Sequence, residues 1–299
     1  MNAHNAEEYL SEALDSVISQ TYQNWEIIFW DNASTDNTFN IVKSYNVNNL
    51  KYFKNNNLTT LGAARNHAIS KASGEYIAFL DCDDLWEPRK LALQIPLFSN
   101  TEVGLIYSDT IHFSKTDEEI NQFKLIKPCK GRCFEKLLLY YPISMEAAVV
   151  RRSALDSLDH WFDERFTAIE EYDLFLRIAE KWEVDYVNKP LSKWRIHGNS
   201  WTWTKKDSFI SEKKLLLKKL NESTSLGIKY QSSLKKFELN LLYESAMHLW
   251  SCNKSVSARH ILSEVDGINI KKSILWILTF LPYSIVDKFY RKYSGVIRA

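Results

Sequence analysis

The sequence predicts an α/β domain built on a Rossmann-like, mostly parallel sheet with helices on both faces, followed by a helical C-terminal extension. Three observations carry this prediction. Short apolar runs alternate with segments of helical periodicity from Ala6 to Trp182, the pattern of βα units in a parallel sheet. Residues 75–80 form an apolar run that delivers Asp81, Asp83 and Asp84 together at its carboxyl end, where open α/β sheets bind ligands. From about Lys205 onward the pattern turns mostly helical and charge-laced.

Taken in order, Ala6, Leu10, Ala13, Leu14, Val17 and Ile18 fall at helical spacing, with Asn5 as the expected N-cap. Trp25–Asp31 reads as a strand, and Ser34–Asn37 supplies capping groups for a helix running to about Tyr45. A short strand at Leu50–Phe53, a helix from Gly62 to Ala72 and the strand at 75–80 follow. Beyond Asp84 the pattern gives a helix over Pro88–Phe98, strands at Val103–Ser108, Ala147–Arg151 and Val184–Val187, and a strongly amphipathic helix at Glu170–Trp182. Only Met1–His4 precede the first helix, where such a sheet should open with a strand beside both the Trp25 and the Glu75 strands. The first strand is therefore expected to be truncated, with the coding sequence beginning several residues upstream or the chain poorly stable.

At 299 residues, the chain suits one large domain or two smaller ones. Its 38 basic residues nearly balance its 37 acidic ones, so no nucleic-acid partner is expected. Cys82, Cys129, Cys133 and Cys252 form neither a disulfide framework nor a zinc pattern and read as reduced thiols. Glu7, Glu8, Glu12 and Asp15 interrupt the first apolar run, so that run is not expected to act as a signal peptide. These features predict a cytoplasmic protein.

The acids at 81–84 point to chemistry. Carboxylates crowded at a strand end repel one another, and Mg²⁺-like ions are held by one or two carboxylates plus substrate phosphates. The plainer alternative is a solvated loop in which Asp84 caps the helix near Pro88.

The segments Asn5–Leu10, Ser19–Ile27, Asp31–Asp36, Gly62–Asn66, Gly74–Asp84 and Glu170–Arg177, all in order, resemble the family 2 glycosyltransferases, inverting enzymes of the GT-A fold. The resemblance runs from Asn5 to about Ser200. It implies transfer of a sugar from a nucleotide-sugar donor to a glycan or lipid-linked acceptor hydroxyl, with Mn²⁺ or Mg²⁺. It also implies a GT-A domain over 1–204, with a nucleotide-sugar half at about 1–110 and an acceptor half at about 111–204, and a helical extension over 205–299. Asp83 is then the metal ligand, where a dication would act as a Lewis acid on the departing diphosphate. Asp81 faces the donor's ribose or sugar, and Asp31 and Asp84 support them. Arg65, one turn into its helix, is expected to meet donor negative charge; the plainer alternative is a surface arginine. The family's acidic base, usually aspartate, falls on Glu171, while Glu170 and Asp173 read as helix-opening acids stabilised by the dipole. His197, in Arg195–Ser200, matches a histidine that approaches the metal or diphosphate. Two departures concern the base of the donor: Asn32 replaces an acid that contacts uracil, and His4 replaces a tyrosine while keeping a ring that could stack.

Ser273–Val286 is apolar and flanked by Lys271, Lys272, Lys288, Arg291 and Lys292. It is short of the ~20 residues that span a bilayer. Residues 271–292 thus suit either peripheral contact at the inner membrane face or burial as a packed helix. Two rivals remain: a catalytically impaired relative that only binds glycans or a partner, and a haloacid-dehalogenase-like phosphatase. The second would carry Thr or Val where Leu85 stands and would begin with its motif strand.

Overall fold

The computed structural model describes residues 1–114, 119–197, 206–265 and 270–294. The chain divides into two compact units, Met1–His197 and Gly198–Ala299.

The first unit opens with β1 (Asn2–Ala3), α1 (Leu10–Ile18), β2 (Ile27–Asp31), α2 (Thr38–Ser44), β3 (Leu50–Lys54) and α3 (Leu61–Lys71). Strands β1, β2 and β3 pair in parallel. Next come β4 (Tyr76–Ala78), β5 (Leu85–Trp86), α4 (Lys90–Gln94), β6 (Val103–Phe113), β7 (Glu119–Asn121), α5 (Gln122–Leu125), α6 (Phe134–Leu139), β8 (Val149–Arg151), α7 (Arg152–Asp156), α8 (Glu170–Lys181) and β9 (Glu183–Arg195). These later strands form a mixed sheet in the order β4-β8-β6-β9-β5, with β7 on β6. A parallel bridge between Asn2 and Asp81 links the two sheets.

The central position expected of the first strand is occupied, but by two residues. Asn2 pairs with Trp30 and Ala3 with Asp31. The Met1 ammonium donates to the Ile28 carbonyl at 2.9 Å, and burial lowers its pKa. Beside this short strand lies a cavity of about 460 Å³ lined by residues that include Met1, Ile27, Ile28, Ile77 and Leu80. The core continues from there through Leu10, Leu14, Phe29, Leu80, Trp86 and Ile106.

Several local expectations change. Asn5 does not cap α1, which starts at Leu10 after Tyr9. Instead Asn5 adopts φ 53° and its Oδ1 accepts from the Thr35 amide at 2.8 Å. A short polar side chain tolerates that left-handed backbone. No side chain caps α2 from its Asn37 N-cap position; Asp36 Oδ1 accepts from the Thr38 amide at 3.0 Å. The helix expected over Pro88–Phe98 splits into α4 and a 3₁₀ turn at Ile95–Ser99, because Pro96 lacks an amide donor. Asp84 caps no helix, since β5 follows it directly. β9 extends through Pro190 to Arg195, well past Val187, with irregular register opposite Ser108–Thr110.

The second unit is helical: α9 (Lys206–Glu222), α10 (Thr224–Lys229), α11 (Gln231–Ser251), α12 (Ser255–Ser263), α13 (Ile270–Leu278) and α14 (Tyr283–Ser294). Its core gathers Ala246, Trp250, Ala258, Leu262 and Leu275. No helix among the described residues is long and apolar enough to cross a membrane.

Candidate active site

The site forms where β4 ends. Apolar residues bury the strand and its continuation, with Ile77 and Leu80 in the core, so the chain emerges with its acids in a tight loop. The last residues of β9 fasten that loop. The Arg195 amide donates to Asp84 Oδ1 at 2.9 Å and Arg195 Nε donates to the Asp83 carbonyl at 2.8 Å. Two residues on, His197 Nε2 lies 3.0 Å from Asp83 Oδ2. The strand extension beyond Val187 is therefore what brings His197 to the acids. Gly198–Ser200, the remainder of that motif, lie outside the described residues.

Burial and the neighbouring Asp81 raise the Asp83 pKa, with His197 opposing. Asp84 is buried, and burial together with Glu146, Asp83 and Asp81 raises its pKa far more. Burial and mutual repulsion thus both disfavour the charged forms of Asp83 and Asp84. One carboxylate oxygen of Asp83 and an imidazole nitrogen of His197 meet there, two donors of the kinds that divalent ions take. A second group, His160, Asp163 and Asp173, also converges. It fits a metal less well, because Arg165 grips Asp163 through two hydrogen bonds of 2.9 and 2.6 Å and Arg177 holds Asp173 at 2.8 Å.

Arg65 is not on the surface. It is 4% exposed, and its Nη2 donates to both oxygens of Asp81 at 2.9 and 3.0 Å while Nη1 donates to Glu170 Oε1. Burial disfavours its charge, but Asp81, Glu170 and Glu171 outweigh that and raise its pKa. The guanidinium is a clamp between the β4 loop and the first turn of α8. Gly62, at the start of the same helix, lies against the Phe162–Glu164 segment. Glu171, the next residue of α8, is half-buried, and burial together with Glu170 pushes its pKa up to about 8.

Asn32 was expected to face the donor's base, but its amide is used internally. Nδ2 donates to the Thr59 carbonyl at 2.9 Å, while Oδ1 accepts from the Thr59 amide and hydroxyl. Asp31 is fully buried and accepts from the Tyr52 hydroxyl and, at 2.7 Å, the Ser34 amide. His4 is exposed, with Nδ1 3.0 Å from the Asn32 carbonyl, so its ring is free to meet a flat ligand.

Two residues join the site that the sequence reading did not select. Glu146 is 3% exposed, and Oε1 has no hydrogen-bond partner among the described residues. Burial, and secondarily Asp81, raise its pKa to about 7. Tyr141 hides its hydroxyl beside Glu171, Glu170 and Glu146. Glu146 had a readable signal, a lone acid within the apolar run 142–150. Tyr141 had none.

A parallel β1–β3 half, a mixed second half and an acid loop between them define a GT-A-type transferase. The structure resembles that of TarS (residues 1–349) of S. aureus, with TM-score 0.65 and 18% identity over 100% of this chain and 91% of that one. It also resembles the mannosyltransferase PcManGT of Pyrobaculum calidifontis, solved with GDP-Man and Mn²⁺, with TM-score 0.62 and 15% identity over 99% and 86% of the two chains. Residues 1–159 match the model of glycosyl transferase family 2, and the chain belongs to that family. Among its relatives, the E. coli UDP-Glc:alpha-D-GlcNAc-diphosphoundecaprenol beta-1,3-glucosyltransferase WfgD is 31% identical over 202 residues, covering 67% of this chain and 77% of WfgD. The putative glycosyltransferase EpsE of Bacillus subtilis is 43% identical over 198 residues, covering 60% and 71%. The protein is a glycosyltransferase, and the phosphatase alternative is excluded.

Proposed function

We propose that this enzyme moves a sugar, with inversion, from a nucleoside-diphosphate sugar to a hydroxyl of a lipid-linked glycan, in polysaccharide or lipid-linked glycan synthesis at the inner face of a membrane. The observation that carries the reading is the Asp81–Arg65–Glu170 clamp, which joins the acid loop carrying Asp83 to the helix turn carrying Glu171. Donor and acceptor chemistry would then meet on two elements fixed by one guanidinium. The acceptor class follows WfgD, which is named as acting on alpha-D-GlcNAc-diphosphoundecaprenol.

Asp83 and His197 would hold Mn²⁺ or Mg²⁺. When bound, that ion supplies Lewis-acid neutralisation of charge on the departing diphosphate. Asp81, 35% exposed on its side chain, keeps an oxygen face toward solvent for the donor's hydroxyls while Arg65 fixes its orientation. Glu171 would accept the proton of the attacking acceptor hydroxyl. A carboxylate with pKa near the working pH binds that proton more strongly than an ordinary glutamate. Asp84, buried and bonded to the Arg195 amide, holds the loop's shape. Asp173, paired with Arg177, secures the first turn of α8. His4 would stack on the donor's base.

Incubation with UDP-glucose, Mn²⁺ and an undecaprenyl-diphosphate-linked GlcNAc acceptor should yield a disaccharide lipid. Glu171→Gln should lose most transfer while still binding the nucleotide. Near-normal turnover in that variant would move the base to Glu170 or Asp173. Failure with every nucleotide sugar tested, despite nucleotide binding, would favour the impaired relative.

A further inference from the structure

The last described helices of the second unit carry an apolar face that is exposed among the described residues. Ile270, Ile274, Ile277 and Leu281 lie at helical spacing through α13 and the turn after it, and are 78%, 54%, 63% and 47% exposed. Trp276 and Phe280, in edge contact at 4.9 Å, stand beside that stripe, and Ile285 extends it onto α14. A soluble surface tolerates scattered apolar residues, but a contiguous set of this size marks an interaction site.

The face continues into a groove. Ile270 and Ile274 also line a depression of about 840 Å³ between α11 and α13, with Tyr243, Met247, Leu275 and Leu278 as further apolar walls and Asn240, Glu244 and Lys271 as its polar ones. Its volume falls in the range of small-molecule sites, and its walls are chiefly apolar. Tyr243 is 5% exposed, and its hydroxyl has no hydrogen-bond partner among the described residues. Lys271 Nζ sits 4.4 Å over that ring, at the groove's edge.

Charge chooses the occupant. Between Ile270 and Lys288 the chain has Lys271, Lys272 and Lys288 against one acid, Asp287. Arg259 adds a guanidinium 4.3 Å over the Phe280 ring. Cations flanking exposed Trp, Phe and Ile match an interfacial element seated among anionic headgroups. The side chains of residues 289–292, at the far end of the expected contact, lie outside the described residues.

We infer that the α13–α14 face docks on an anionic lipid bilayer, with Trp276, Ile277, Phe280 and Leu281 inserted and an acyl chain of that bilayer entering the α11/α13 groove. This rests on the lipid-linked acceptor proposed above and deepens it, since it would hold the enzyme where such an acceptor lies.

Flotation of the full chain with vesicles of phosphatidylglycerol and phosphatidylcholine tests the inference. The wild type should float with anionic vesicles and much less with pure phosphatidylcholine. Ile277→Glu with Phe280→Glu, both at exposed positions, should weaken partitioning about tenfold or more. A bimane label at Met247→Cys, on a Cys252→Ser background, should be quenched by lipids brominated on the acyl chain. No flotation, equal flotation of the double variant, or an unquenched label would overturn the inference. So would a dimer in light scattering that the double variant dissolves, since the face would then join two copies. Nucleoside diphosphate binding with Mn²⁺, measured on the same samples, separates the two readings. If it persists while flotation fails, only docking is wrong; if it is absent, the functional reading is wrong.

Discussion

Replacing Arg65 with methionine tests whether one guanidinium joins the two halves of the site. Methionine keeps most of the length and removes the charge. Its loss takes a cation from Glu170, 2% exposed, whereas Asp81 at 35% side-chain exposure recovers some solvation. Removing one partner of a buried pair typically costs ~3–5 kcal/mol, most of it the penalty on the charge left behind. The expected cost is therefore about 3–5 kcal/mol, dominated by Glu170. For a unit of this size that corresponds to a Tm lowered by roughly 6–20 °C. Glu170→Gln in the same chain removes that buried charge, so the double variant should recover about half of the loss. Urea unfolding of the wild type, both single variants and the double variant gives the coupling energy directly. A cost under about 1 kcal/mol for Arg65→Met, or no relief from Glu170→Gln, would refute the clamp.

Other residues give separate tests. Burial and Glu170 push the Glu171 pKa up from 4.5 to about 8, so kcat/KM should rise with pH along a limb whose pKa lies above 4.5. A limb at or below 4.5 would remove Glu171 from the role of base. Glu146 has its folded pKa raised from 4.5 to about 7, so the folded state binds more protons than the unfolded state between those values. Its carboxyl therefore favours folding below pH 4.5, and stability is lost as pH rises to 7. Glu146→Gln should unfold less readily than the wild type at pH 7, by about 2–3 kcal/mol relative to the difference at pH 4.5. Equal pH slopes in denaturant titrations would contradict this. A Cβ at Gly104 would stand 2.6 Å from Trp182 Cβ and 3.0 Å from Ala154 Cβ. Gly104→Ala should cost about 1–3 kcal/mol by overpacking, and an unchanged melting temperature would show that α8 and α7 yield there.

Much of this fold could be read from one sequence because its elements announce themselves locally. The apolar run before Asp81, the β2 run ending at Asp31 and the amphipathic face of α8 each carry their period within a few residues. What escaped the sequence was set by distance along the chain. Arg65 looks exposed in a helix of small residues, and only partners 16 and 105 positions away make it a buried clamp. The Asn32 amide has no local sign that Thr59 will take it. β9 runs past Val187 because β6 offers it a partner as far as Phe113, and that extension brings His197 to Asp83. The first strand was legible only as a truncated one, since two residues show no period; pairing with β2 makes the strand.

The central claim is that the acid loop binds a nucleoside diphosphate through a divalent ion at Asp83. Titration calorimetry with UDP and GDP, in Mn²⁺ and again in EDTA, measures it most directly. The account predicts binding at least about tenfold tighter with Mn²⁺ for one of the two, a difference near 1.4 kcal/mol or more, abolished in Asp83→Asn and kept in Glu171→Gln. Binding equally tight in EDTA, or untouched by Asp83→Asn, would contradict it.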